Sequence, residues 1–422
     1  MSETTWFENA RFGAFIHFGV FSDLARGEWT MNREEISPSE YQKYAEKFNP
    51  IHFDADATCK LIAGSGAKYV VFTTMHHEGF RMYNSDISEY NSVKTCGRDF
   101  TAEIIKAAKK YGLKIGLYHS LNNWYDQPDA VAALESKTDY DIFINNTLNR
   151  IKELISKYNP IDILWYDGWW PFDADGWQAE KMNEMVLELQ PHIIFNGRNG
   201  LAGDFGTPEG HISAPKPWRP WEACMSLNDH WGFHAGDHKW KSSDDVLDML
   251  TRVANGKGNL LLNIGPKGDG SIPEETIKVF KEVGNWLNKN SEAIFDTDIF
   301  EYDLMEKDDK YRGDWIHHGE FTVKDKNMYL QLKYPVAESE MIICGIGQKI
   351  NNVSLLSTGQ QINFVQKDNK LTIQNIDAFK SENRSVIKIE CDDISSIYIT
   401  GGMREPKVRH PHYDPLPSDI VL

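Results

Sequence analysis

Five short apolar runs in the N-terminal half of the chain each end in a group able to attack, ionise or hydrogen-bond. FGAFIHF ends near His17, KYVVFTT runs into Met75-His76-His77, KIGLYH ends at Tyr118-His119, IDILWYD at Asp167, and HIIFN at Asn196-Gly197-Arg198. The fourth run is the most telling. Behind Asn159-Pro160 it has the composition of a buried parallel strand, and it delivers one carboxylate, a glycine and the pair Trp169-Trp170. A carboxylate set among indoles at the end of a buried strand is costly unless it is paired or used. A lone Asp-Gly is ordinarily a turn cap, and a lone histidine a satisfied core or loop residue. Five consecutive strand ends of this kind instead suggest carboxylate chemistry on a substrate whose hydroxyls the imidazoles and phenol bind.

Other chemistries have less support. Adjacent histidines in an extended segment point to opposite sides, and no HExxH-type spacing accompanies His76 and His77, so no metal is expected. Gly265 to Ser271 is Gly-rich but lacks the phosphate-loop order and reads as a tight turn ahead of Pro273. No GxSxG elbow supports a serine nucleophile. No cofactor is expected.

The elements that must position these groups alternate strand and helix from Phe12 to about Thr297. Helical patterning covers Pro38 to Lys47, Ala55 to Gly64, Thr101 to Tyr111, Asp139 to Tyr158, Trp177 to Leu189, Asp244 to Asn255 and Glu274 to Asn290. In the fourth of these, Ile142, Phe143, Leu148, Ile151, Leu154 and Ile155 recur at helical spacing. Asn259 to Ile264 is a further strand, whereas Gly197 to Trp240 dissolves into Gly, Pro, Trp and His. This order predicts a parallel α/β fold, a (β/α)8-like barrel over residues 1–297, whose strand ends converge on one face. An open doubly wound sheet usually carries a Gly-rich first turn, and none follows His17.

Beyond Phe300 short strands follow one another: Tyr329 to Tyr334, Met341 to Gly345, Val353 to Leu356, Leu371 to Ile376, Val386 to Glu390 and Ile397 to Thr400. They predict an antiparallel β-sandwich over 298–404, with 405–422 a surface tail.

The chain has 422 residues and a formal charge of -17, which disfavours nucleic acid and anionic membranes and suits a neutral partner. Its 13 tryptophans offer the flat apolar faces that sugar sites use. The 5 cysteines form no CxxC pair and do not suggest a disulfide framework. No run approaches the length of a membrane span. The chain therefore reads as soluble and cytoplasmic, or secreted or periplasmic if a signal peptide has been removed. Self-association into a homo-oligomer is left open.

Several segments resemble, in order, the retaining α-L-fucosidases of glycoside hydrolase family 29. They are Trp6-Phe7 with Arg11 to Gly19, Gly27-Glu28-Trp29, His76 to Phe80, Gly116 to Ser120, Leu164 to Gly168, Asn196-Gly197-Arg198, Thr207-Pro208-Glu209 and Gly258 to Pro266. The resemblance spans about residues 6 to 297. It implies an irregular (β/α)8-like barrel followed by a β-sandwich, and exo-hydrolysis of terminal α-L-fucosyl residues from fucosylated glycans by double displacement. It further implies Asp167 as nucleophile, and His17, Glu28, Trp29, His76, His77, Tyr118, Trp165 and Arg198 lining the fucose pocket. For the acid/base, Glu209 in the Thr-Pro-Glu segment is preferred over Glu222. Two positions depart from the family pattern: Glu78 stands where an aspartate is usual, and His119 where a tyrosine is frequent, which would alter the pocket rim. Trp169 and Trp170 are expected on the leaving-group side. A related glycosidase acting on a similarly configured sugar such as an α-L-galactoside, or a fucose-binding protein without turnover, are the alternatives.

Overall fold

The computed structural model describes residues 4–299, 318–334, 336, 339–344, 346–368, 370–376 and 384–394. The chain divides into two compact units, Met1–Ile299 and Phe300–Leu422.

The first unit is built on seven parallel strands: β1 (Phe12–Ile16), β2 (Tyr69–Met75), β3 (Lys114–Ser120), β4 (Ile163–Asp167), β5 (Ile194–Phe195), β6 (Glu222–Met225) and β7 (Asn259–Ile264). They lie in the order β5-β4-β3-β2-β1-β7-β6 and form one curled sheet. Nearly every strand residue is buried, because helices cover one face and side chains from the strands themselves fill the other. The period-2 alternation sorts them cleanly. Phe12, Ala14, Ile16, Val70, Phe72, Leu117, Leu164 and Leu262 join the layer against the helices. Phe15, Tyr69, Val71, Tyr118, Ile163, Trp165 and Leu261 form a separate inner cluster beneath the strand ends. That inner layer is crowded: a Cβ on Gly13 would stand 2.3 Å from the Tyr69 ring, so only glycine fits there.

The curl is not closed by a continuous ladder. β5 has two residues, and the space between β5 and β6 is crossed by isolated parallel bridges, Asn196 to Phe205, Gly206 to Trp221 and Glu209 to Cys224. Pro208, Pro215, Pro217 and Pro220 lie in this stretch, and proline cannot donate a ladder bond. The parallel α/β expectation therefore holds for seven strands, with an irregular segment between β5 and β6. β6 itself lies inside the segment whose pattern dissolves, and periodicity alone does not reveal it.

The helices carry the expected signals. Phe100–Lys110 is capped by Asp99, which accepts from Ala102 N, and ends before Gly112 at φ +70°. The helix Lys137–Lys157 buries Phe143, Ile144, Thr147, Leu148, Ile151, Leu154 and Ile155. Ile142, counted with that face from spacing, is instead 42% exposed, because it falls one position off the stripe. The Gly-rich turn closes with Lys267 N donating to the Ser271 carbonyl, ahead of the helix Glu274–Asn290.

In the second unit, strands pair antiparallel in the order Gln360–Gln361, Ile350–Leu355, Val386–Cys391, Asn327–Leu332, Gly319–Lys324, and a second sheet runs Glu340–Cys344, Lys370–Gln374, Phe364–Lys367. Both sheets contribute to one core that includes Met328, Leu330, Ile343, Val353, Leu371, Ile373, Ile387 and Ile389, the arrangement of a β-sandwich. Gly319–Lys324, Gln360–Gln361 and Phe364–Lys367 escape the sequence reading because polar residues dominate them. The expected strand Ile397 to Thr400 and the tail 405–422 lie outside the described residues.

Candidate active site

The C-terminal ends of β1 to β4 open into a cavity. His17, Trp29, His76, His77, Tyr118, Trp165, Asp167, Arg198 and Glu209 line it, joined by Phe15, Trp170, Cys224 and Trp231. Nine of the ten residues expected of the site, the runner-up carboxylate aside, thus meet there, and for those on β3 and β4 the strand register suffices: parallel neighbours bring Tyr118 beside Trp165 and Ser120 beside Asp167.

Asp167 is the centre of the polar network. Its Oδ1 accepts from Arg198 Nη1 at 3.0 Å and its Oδ2 from the Tyr118 hydroxyl at 2.9 Å, while His77 Nε2 stands 3.7 Å from Oδ2. Burial by itself raises the Asp167 pKa, but the Arg198 charge, His77 and the two hydrogen bonds outweigh it, and the net shift is downward. Asp167 is therefore an ionised, largely buried carboxylate. The same neighbours act on Arg198: burial lowers its pKa, the facing carboxylates raise it, and the net shift is upward. The guanidinium also lies 4.7 Å over the Trp165 ring and donates from Nε to Thr207 Oγ1 at 3.1 Å, so its plane is fixed on three sides.

Glu209 reaches the cavity from the segment that bridges β5 and β6. Its Oε2 accepts from Arg198 Nη2 at 2.6 Å and its Oε1 from Trp231 Nε1 at 3.1 Å, with the side chain 44% exposed. One guanidinium therefore joins the two carboxylates. Glu222, the other carboxylate considered, does not line the cavity. It is wholly buried on β6, where Oε1 accepts from Trp165 Nε1 at 2.9 Å and Oε2 from the Tyr69 hydroxyl. Burial raises its pKa to about 7. It points into the inner layer because strand alternation sends it there, opposite in sense to Ala223.

The three histidines are neutral near pH 7. Burial lowers His17 and His77 to about 4 and His76 well below its ordinary value. The state of His17 follows from its partners. Asn263 Nδ2 donates to the Trp231 carbonyl at 2.6 Å, so Asn263 Oδ1 faces His17 Nδ1 at 2.7 Å and accepts its proton-bearing nitrogen. His17 Nε2 is left as an acceptor. His76 stacks on Tyr118, ring centroids 5.7 Å apart and 6° from parallel. Trp29 stacks on Trp170 at 5.7 Å and meets His77 edge-on at 5.3 Å, forming a wall of the cavity. Such neutral donors and acceptors beside aromatic faces suit an uncharged, hydroxylated ring.

Some expected placements differ. Glu28 does not reach the cavity lining; it is buried, and its Oε2 accepts from the backbone N–H of Gly232 at 2.8 Å. His119 is not on the rim but fully buried, its Nδ1 3.2 Å from Thr74 Oγ1, because alternation along β3 turns it away from Tyr118. Glu78 is buried as well, and burial raises its pKa to about 8. Trp169 is 49% exposed and lies off the lining, whereas Trp170 is on it. Trp231, Cys224 and Asn263 belong to the site without having been singled out. Asn263 ends the apolar run of β7 just as His17 ends that of β1, a signal the sequence contains; Trp231 lies in the irregular stretch and offers none. Among the described residues no three His, Cys, Asp or Glu side chains gather as metal ligands would.

A family model described as alpha-L-fucosidase matches residues 2–292. An alpha-L-fucosidase of Dictyostelium discoideum is 32% identical over 331 residues, which span 69% of this chain and 71% of that one. Alpha-L-fucosidase isoenzyme 1 from Paenibacillus thiaminolyticus superposes with a TM-score of 0.84 at 29% identity, covering 93% of this chain and 99% of that one. An alpha-L-fucosidase from Bacteroides thetaiotaomicron, trapped as a covalent intermediate with a fluorinated fucosyl fluoride, superposes with a TM-score of 0.82 at 25% identity, covering 93% and 96%.

Proposed function

The chain belongs to the α-L-fucosidase family, and on that footing we propose that it is a retaining exo-α-L-fucosidase in which Asp167 is the nucleophile and Glu209 the acid/base. The observation that carries the reading is the ionised Asp167 at the end of β4, with donors on both oxygens, facing a cavity shared with a second, more exposed carboxylate.

Asp167 attacks the anomeric carbon while Glu209 gives a proton to the departing oxygen, and a fucosyl ester forms on Asp167. Glu209 then takes a proton from water as the water oxygen bonds to the anomeric carbon and Asp167 leaves, so the α configuration is retained. A relative caught as a covalent intermediate supports the double displacement. His17, His76, His77 and Tyr118 bind ring hydroxyls; Trp29, Trp165 and Trp170 pack the apolar face and the methyl group. The walled cavity suits one terminal sugar. Seven curled strands with an irregular segment between β5 and β6 support the (β/α)8-like barrel reading. The substrates are fucosylated glycans, in keeping with a net charge of -17 that disfavours nucleic acid; no helix among the described residues is long and apolar enough to cross a membrane.

The test compares aryl α-L-fucoside with aryl α-L-galactoside and reads the first-formed anomer by proton NMR. Preferred release of α-L-fucose is expected. A β-configured first product, or preference for the galactoside, would overturn the reading.

A further inference from the structure

We propose that Trp231 is the positioning residue for the acid/base: its indole N–H holds Glu209 Oε1 while Oε2 exchanges Arg198 for the leaving-group oxygen. This rests on the reading of Glu209 as acid/base.

Both Glu209 oxygens accept, one from Trp231 Nε1 at 3.1 Å and the other from Arg198 Nη2 at 2.6 Å. A general acid must instead present a proton to the glycosidic oxygen, so one of these contacts has to yield. Arg198 has alternatives: it keeps Asp167 Oδ1, Thr207 and the Trp165 face if it releases Glu209. Among the described residues Trp231 Nε1 has no acceptor besides Glu209, and losing Glu209 would leave it without a protein partner. The indole is therefore the pivot and the guanidinium contact is the one exchanged.

A pivot must be rigid, and Trp231 is fixed on several sides. Its ring lies 5.1 Å from the His17 ring and 6.1 Å from Phe15. Its carbonyl accepts from Asn263 Nδ2 at 2.6 Å, and a Cβ on Gly265 would come within 2.8 Å of that carbonyl. The next residue, Gly232, donates its N–H to buried Glu28. This gives Glu28, which does not line the cavity here, a place in the site: it fastens the loop that carries the pivot. Asn263 serves both ends, holding Trp231 on one side and His17 on the other.

No proton leaves the indole. In the first step the Glu209 O–H bond breaks as the leaving oxygen takes that proton together with the electron pair of its bond to the anomeric carbon. In the second, Glu209 recovers a proton from the attacking water. Trp231 fixes only where this occurs.

The experiment measures kcat/KM for a series of aryl α-L-fucosides of rising leaving-group pKa, together with fucosyl fluoride, on wild type, Trp231→Phe and Glu209→Ala. Trp231→Phe is expected to lose about tenfold on the poorest leaving groups, as for a hydrogen bond to a charged group, and little on fucosyl fluoride, whose turnover also reports an intact fold. Benzothienylalanine at position 231, which keeps the bicyclic shape without the N–H, is expected to reproduce that profile. An equal loss across the series, or no loss, in either variant would overturn the role of Trp231 while leaving Glu209 untouched. Absence of leaving-group dependence in Glu209→Ala would instead overturn the acid/base reading beneath it.

Discussion

Trp165 Nε1 donates to Glu222 Oε1 at 2.9 Å, joining β4 to β6 across the interior of the curled sheet and below the cavity. The bond separates two carboxylates thirteen positions apart in the sequence into different tasks. Glu222 holds the Trp165 ring from behind, and Glu209 stands in the cavity in front of it.

Glu222→Gln is expected to keep the wild-type dependence on leaving group and to lose less than about tenfold in kcat, because the amide oxygen can still accept from Trp165. Glu222→Ala leaves two buried donors, Trp165 Nε1 and Tyr69 OH, without an acceptor and is expected to cost about 2–4 kcal/mol of stability. Urea unfolding of both variants checks the second statement and a leaving-group series the first. A steep leaving-group dependence in Glu222→Gln would return Glu222 to the chemistry.

Asp167→Gly removes the attacking atom and is expected to lower kcat by about a thousandfold or more. Azide can enter the space vacated, and the expected product is fucosyl azide of inverted configuration, identified by NMR. Near-normal turnover in this variant would contradict the nucleophile assignment.

Tyr118→Phe takes one donor from Asp167 Oδ2. The Tyr118 bond is among the contacts that hold the Asp167 pKa down against the burial that raises it, so its removal raises that pKa. Asp167 must be ionised to attack, and the acidic limb of kcat/KM is expected to move to higher pH, with a loss of about tenfold at the optimum. An unmoved limb would show that Asp167 does not govern it.

Glu78 sets a pH dependence of stability. Burial raises its pKa from 4.5 to about 8. Across that window the unfolded chain has released the proton and the folded chain retains it. Stability therefore falls as pH rises from about 4.5 to about 8 and levels off above. Glu78→Gln removes this contribution and is expected to flatten the profile, gaining on the order of 5 kcal/mol over wild type at the alkaline end relative to the acid end. Thermal melts at a series of pH values measure it; parallel profiles for the two proteins would count against a protonated Glu78.

What the sequence by itself determined is the part of the site that strands deliver. A parallel strand buried on both faces has to be an apolar run, and the first polar residue after the run is placed at the sheet's C-terminal edge. Reading the ends of β1 to β4 was therefore enough to bring His17, His76, His77, Tyr118 and Asp167 to one cavity, and family resemblance added Trp29, Trp165, Arg198 and Glu209. Only the tertiary structure decided which of the carboxylates line the cavity. Glu209, Glu222 and Trp231 all come from Gly197 to Trp240, where no period of 2 or 3.6 exists to assign a side chain to a face. The alternation of β6, a strand the pattern does not reveal, turns Glu222 inward, while Glu209 and Trp231 are directed by the Glu209–Cys224 bridge, by Arg198 and by the Glu28 and Asn263 anchors, contacts made only in the folded chain. The same limit applies to Glu28 and His119: residue type and neighbourhood suggested the pocket, but the hydrogen bond to Gly232 in one case and the alternation of β3 in the other took the side chain elsewhere. Direction along a regular element is a local property; direction in an irregular segment belongs to the contacts that hold it.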